Sequence, residues 1–79
     1  MQGGQISVEV KAKVKFFIDS KGWGYVIPED GQYAGKDCFV HFTGILKKGY
    51  KSLAKDEIVL CEIANNERGL CAINVKKSE

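Results

Sequence analysis

Apolar and polar residues alternate with a period of two from Ile6 to Ile18. Val8, Val10, Ala12 and Val14 fall on one side, and Glu9, Lys11, Lys13 and Lys15 on the other. Period two sends successive side chains to opposite faces, the signature of a half-buried strand. Asp19-Ser20-Lys21-Gly22 then supplies turn chemistry. Residues 22–27, GWGYVI, predict a second strand on which Trp23 and Tyr25 share one face. The glycines beside them are expected to leave the ring faces accessible, and Pro28 to end the strand. A polar loop, EDGQYAGK (29–36), follows. Residues 37–42, DCFVHF, predict a third strand with Phe39 and His41 on one face and Cys38 and Val40 on the other. The long connection 43–56 carries Gly44 and Gly49, with a short helical turn around Lys51–Glu57. Residues 57–64 (EIVLCEIA) and 70–75 (LCAINV) predict the last two strands, joined by a hairpin turn over Asn65-Asn66-Glu67-Arg68-Gly69.

Five short strands without an amphipathic helix predict an all-β domain. Closure limits the exposed edges of a small sheet, so the expected architecture is a five-stranded antiparallel Greek-key barrel of the OB-fold type. A chain of 79 residues is one domain. The expected organisation is a flexible lead-in over 1–5, one domain over 6–76 and a C-terminal tail over 77–79.

Composition narrows the function. No apolar run approaches the ~18–20 residues of a membrane span, and MQGGQISVEV lacks the basic start and apolar block of a signal peptide. Cys38, Cys61 and Cys71 are odd in number and lack zinc-site spacing, which fits reduced strand cysteines in a cytoplasmic protein. His41 is the lone histidine, and strand alternation puts Cys38 on the opposite face from it, so the two do not form a nucleophile–base pair. Glu29-Asp30 and Asp56-Glu57 sit in turns, where solvation explains them. The segment GQYAGKD lacks the spacing of a phosphate-cradling loop. No catalytic site, metal or cofactor is expected.

The net charge of +2 conceals an uneven distribution. Residues 11–55 hold nine lysines against four acids, a balance of +5. All eight aromatics (Phe16, Phe17, Trp23, Tyr25, Tyr33, Phe39, Phe42 and Tyr50) fall between 16 and 50. If the second and third strands are adjacent, Trp23, Tyr25, Phe39 and His41 form one platform. A buried aromatic core is the competing explanation. The opposite faces already read as core, however, and a single barrel with no covering helix cannot bury both. Exposed rings stack on the π-face of any base at ~1–3 kcal/mol per base. Lys11, Lys13, Lys15 and Lys21 at the rim attract phosphates and make binding salt-dependent.

Two segments carry a resemblance: KGWGYVIPEDG (21–31) and DCFVHF (37–42). They are similar to the two ribonucleoprotein motifs of the cold-shock domain family. The likeness extends to VKFFIDS (14–20), GYKSL (49–53), ERG (67–69) and the Asn74-Val75 pair, about residues 8–76 in all. It implies an OB-fold barrel that binds single-stranded RNA and DNA. The family's binding positions fall here on Lys15, Phe16, Phe17, Lys21, Trp23, Tyr25, Asp37, Phe39, His41, Phe42, Tyr50 and Arg68. The lysine stripe adds Lys13. Strict alternation would separate Phe16 from Phe17, so a bulge is expected there.

The chain departs from the family pattern at several points. Phe16 stands where the family usually has Trp, and Trp23 where it has Phe. Ile18 replaces a usual Asn, and Leu70-Cys71 a usual Pro-Gln pair. The loop QYAG (32–35) is longer than in small bacterial members. The expected function is an ATP-independent RNA chaperone that opposes secondary structure and regulates transcription or translation. Its expected partners are single-stranded RNA and DNA, with no membrane and no small-molecule substrate, and the expected state is a monomer. The alternative is an OB-fold module that docks another protein on the aromatic face.

Overall fold

The computed structural model describes residues 9–46 and 52–78. The elements are β1 (Glu9–Ile18), β2 (Trp23–Pro28), β3 (Cys38–His41), a 3-10 turn η1 (Phe42–Gly44), β4 (Ile58–Asn66) and β5 (Gly69–Lys77). They close into a barrel in the order β1-β2-β3-β5-β4. Four seams are antiparallel. The fifth, β3 with β5, is parallel and pairs Phe39 with Cys71 and Val40 with Ala72. A parallel seam needs a long crossover, and the connection after β3 supplies it.

The period-two reading holds along β2, β3 and β4 and in β1 as far as Val14, but breaks in β5, where Ala72 and Val75 both face inward with Asn74 at φ 51° between them. Ala12, Val14, Val26, Cys38, Val40, Val59, Cys61 and Val75 are buried inside the barrel. Ile45 and Leu53, from either end of the long connection, complete this core. Val8 lies outside the described residues. Every fully buried side chain is aliphatic, proline or cysteine, so this core contains no aromatic ring.

The structure adjusts several expected boundaries. Pro28 is the last residue of β2, not the first beyond it. It pairs with Ala12, and the next ladder bond passes to the Glu29 N–H, which donates to the Lys11 carbonyl at 2.8 Å. Phe42 leaves the third strand for η1. Residues 52–57 form no helical turn. The chain reverses at Lys55-Asp56, with Asp56 in the left-handed region at φ 68°. The Ala54 N–H donates to Glu57 Oε1 at 2.9 Å, and the Glu57 N–H donates back to the Ala54 carbonyl at 3.1 Å. β5 runs on to Lys77, two residues past the predicted end.

A bulge is present where one was expected, but it does not bring Phe16 and Phe17 onto one face. The β1–β2 register moves from Val14 opposite Val26 to Phe16 opposite Tyr25, which leaves Lys15 as the extra residue. One inserted residue inverts the alternation beyond it. Phe16 therefore shares a face with Tyr25, while Phe17 packs against the core.

Candidate nucleic-acid interface

β1, β2 and β3 place their outward residues in cross-strand rows. Phe16, Tyr25 and Phe39 make one row, and Trp23 and His41 the next. Neighbouring strands lie ~4.8 Å apart, so rings in such rows meet. Phe16 lies 5.7 Å from Tyr25 and 6.2 Å from Trp23, centroid to centroid. Phe39 lies 5.8 Å from Tyr25, 6.0 Å from Trp23 and 6.4 Å from His41. Trp23 and Tyr25 are 6.4 Å apart and nearly perpendicular. His41 stacks on Phe42 at 4.6 Å and 29°. Six rings thus form one connected surface. All five strand rings (Phe16, Trp23, Tyr25, Phe39 and His41) are only half-buried, and Phe42 is 43% exposed.

The glycines serve a different purpose from the one expected. Gly24 faces inward, opposite Phe17. A Cβ there would collide with the Phe16 carbonyl oxygen and the Phe17 Cα. Gly24 therefore lets β2 approach β1 at the bulge, which brings Phe16 beside Trp23 and Tyr25. Gly22 has φ +76°, and the Phe42 ring lies where its side chain would be. It turns the chain into β2 and seats Phe42, and its carbonyl accepts from the Phe42 N–H at 2.8 Å.

Thr43 orients His41. Its backbone N–H lies 3.4 Å from Nδ1, and its hydroxyl 2.9 Å. A backbone N–H can only donate, so Nδ1 accepts and the neutral ring carries its proton on Nε2. At the rim, Lys15 Nζ pairs with Asp37 at 3.1 Å, with both side chains about half exposed. Lys13 is exposed on β1, opposite Ile27, and Lys21 is exposed in the turn before Trp23.

The predicted positions thus divide. Phe16, Trp23, Tyr25, Phe39, His41 and Phe42 come together, with Lys15 and Asp37 joined at one end. Phe17 makes no ring contact among the described residues and packs inward. Arg68 lies in the β4–β5 turn. Tyr50 lies outside the described residues, as do Lys47, Lys48 and Lys51. The sequence reading missed Thr43, whose role depends on η1. It also missed the neighbourhood of Cys71, because the parallel seam that sets Cys71 beside Phe39 has no local signal.

The cysteines are free thiols. Burial raises Cys38 from 9.0 to about 11, helped by the nearby Asp37 and Cys71. Burial likewise raises Cys61 to about 12, helped by Cys38, Glu9 and Glu62. Neither is activated as a nucleophile. No group of three or more metal-ligating side chains occurs among the described residues, nor does a helix long and apolar enough to cross a membrane.

A closed five-stranded barrel with one parallel seam and an outward aromatic face defines an OB-fold with an open binding surface. The profile of the family described as "'Cold-shock' DNA-binding domain" matches residues 10–78, and the chain belongs to that family. It is 46% identical over 67 residues to Cold shock-like protein CspE of Escherichia coli, covering 85% of this chain and 93% of the relative. It is 43% identical over 67 residues to Cold shock-like protein CspC of the same organism, with the same coverage. Among solved structures, it resembles one titled drosophila Unr CSD456, with TM-score 0.71 and 19% identity. That likeness, which covers 91% of this chain and 27% of the other, shows the fold. The family and these relatives support nucleic-acid binding by this chain.

Proposed function

We propose that this chain binds single-stranded RNA and DNA by stacking unpaired bases on the outward rings of β1, β2 and β3. The observation that carries this reading is the connected, half-exposed surface of Phe16, Trp23, Tyr25, Phe39, His41 and Phe42. Each ring offers a π-face that any base can use, so contact is tolerant of sequence. Lys13, Lys15 and Lys21 draw in the phosphates, and Tyr50, Phe17 and Arg68 are carried as family positions. Binding to unpaired bases lowers the free energy of the open strand. By mass action it therefore opposes hairpins without ATP. That makes the chain an RNA chaperone acting in the cytoplasm as a monomer, with effects on transcription or translation.

Trp23 is the sole tryptophan and reports on the site directly. Titration with oligonucleotides of varied base composition, at two salt concentrations, should quench its fluorescence. Affinity should fall steeply as salt rises. An unchanged spectrum without salt-sensitive binding overturns the reading. Binding of a protein partner that is indifferent to salt and to added single strands would favour a docking module instead.

A further inference from the structure

The outward residues of β1 change character along the strand. Phe16 belongs to the ring row, and Lys15 is the bulge residue beside it. Lys13 lies one row further, opposite Ile27 on β2 and Ile58 on β4. Lys11 lies one row beyond that, opposite Leu60. Successive outward residues of a strand stand ~6.8 Å apart, a step that suits successive phosphates of an extended single strand. Both lysines are exposed, and Ile27, Ile58 and Leu60 beside them are half-buried. None of these neighbours is a ring.

Charge pairing separates these two lysines from their neighbours. Lys15 is tied to Asp37 at 3.1 Å, and Lys76 to Glu9 at 3.2 Å. Lys11 and Lys13 form no ion pair among the described residues. Glu29 meets Lys11 through the backbone, its N–H donating to the Lys11 carbonyl. An unpaired ammonium is free to meet a phosphate, whereas Lys15 must first leave its carboxylate. Past Lys11 the sign reverses. Glu9 is the next outward residue of β1, and it lies opposite Glu62 on β4. Lys76 offsets one of these two carboxylates, so a phosphate placed there meets net negative charge. The unpaired lysines thus make a short stretch bounded by rings at one end and carboxylates at the other.

We propose that Lys13 and Lys11 form a stacking-free track that holds two further phosphates of the bound strand as it leaves the rings past Phe16. The inference rests on the stacking function above and extends its site along β1. It gives Lys11, two rows from the rings, a contact that only strands longer than the ring surface reach. Bases above Ile27, Ile58 and Leu60 meet aliphatic side chains and no π-face, so the track accepts any base sequence.

The salt dependence of binding tests it, because each contacted phosphate of a single strand adds about 0.7 to the slope of log affinity against log salt. Slopes are measured by Trp23 fluorescence for oligo(dT) of about 4 to about 16 nucleotides, the range of site sizes on one OB-fold. A longer strand offers more binding registers, which raises affinity but not the slope, so variants are compared by slope at equal length. Lys77→Gln is the control: it removes the same charge from an exposed residue that β4 separates from β1. Lys11→Gln should match the wild type on the shortest strands and lower the slope by about 0.7 on the longest. Lys11→Gln with Lys13→Gln should lower it there by about 1.4, and Lys77→Gln should leave it unchanged. A wild-type slope for Lys11→Gln on long strands overturns the track. So does an equal drop on short and long strands, or an equal drop in Lys77→Gln. Failure of the wild type to bind any of these oligonucleotides overturns the stacking function, and the track with it.

Discussion

The inner and outer faces of β2 and β3 differ in what they hold. Inward lie Gly24, Val26, Pro28, Cys38 and Val40, all buried. Outward lie Trp23, Tyr25, Phe39 and His41, all half-buried. The barrel interior is filled by Val, Ala and Cys from five strands, closed by Ile45 and Leu53. A five-stranded barrel this narrow has no space inside for a row of aromatic rings. The largest apolar side chains of the chain therefore stand on the surface. The lesson is that size, not hydrophobicity alone, sorts residues between core and interface here. Phe17, which the bulge turns inward, is the exception.

That contrast can be broken most severely at Gly24. Gly24→Val drives a side chain into the β1 backbone, so stability should fall by about 3 kcal/mol or more. Urea unfolding measures this, and a near-native midpoint would show that the close approach of β1 and β2 is dispensable. Next in size is the ordinary core. Val40→Ala removes two buried methyl groups and should cost about 2 kcal/mol. Oligonucleotide affinity at temperatures where the variant is folded should be unchanged, since Val40 faces away from the rings.

The buried thiols sharpen the inner face further. Their folded pKa values, about 11 for Cys38 and about 12 for Cys61, lie above the ordinary 9.0. Below pH 9 both states hold the proton and the shift has no effect. Above it, the unfolded chain releases protons that the folded chain keeps. Stability should therefore decline as pH rises from about 9 toward 11, by up to roughly 1.4 kcal/mol per pH unit for each thiol. Unfolding curves under reducing conditions should show a shallower decline in Cys61→Ala. The smallest effect belongs to the rim. Lys15→Ala breaks an exposed ion pair with Asp37, so stability should change by no more than about 0.5 kcal/mol. The salt slope of oligonucleotide binding should still fall by about 0.7, the share of one phosphate contact on a single strand.

Much of this arrangement was legible in the chain. Alternation from Val10 to Val14 located β1, and Lys21-Gly22-Trp23-Gly24-Tyr25 located the rings of β2. Adjacent Phe16 and Phe17 indicated the bulge, but not that Phe17 would still turn inward. What escaped was non-local. Nothing near Cys71 announces that β5 lies parallel to β3, because pairing across a long crossover depends on barrel closure. Ile45 and Leu53 read as loop residues, yet both turn inward. Gly24 sits between two rings, so its role was misread. Its partner is the backbone of another strand, which alternation within one strand cannot reveal.

The central claim is that the outer rings bind and the inner residues hold the fold. The double substitution Phe39→Ala with His41→Ala tests it most directly, with unfolding and oligonucleotide binding measured on the same preparation. Loss of two stacking rings should weaken binding by ~2–6 kcal/mol and leave a cooperatively folded barrel. Marked unfolding, or unchanged affinity in a folded protein, would contradict the account.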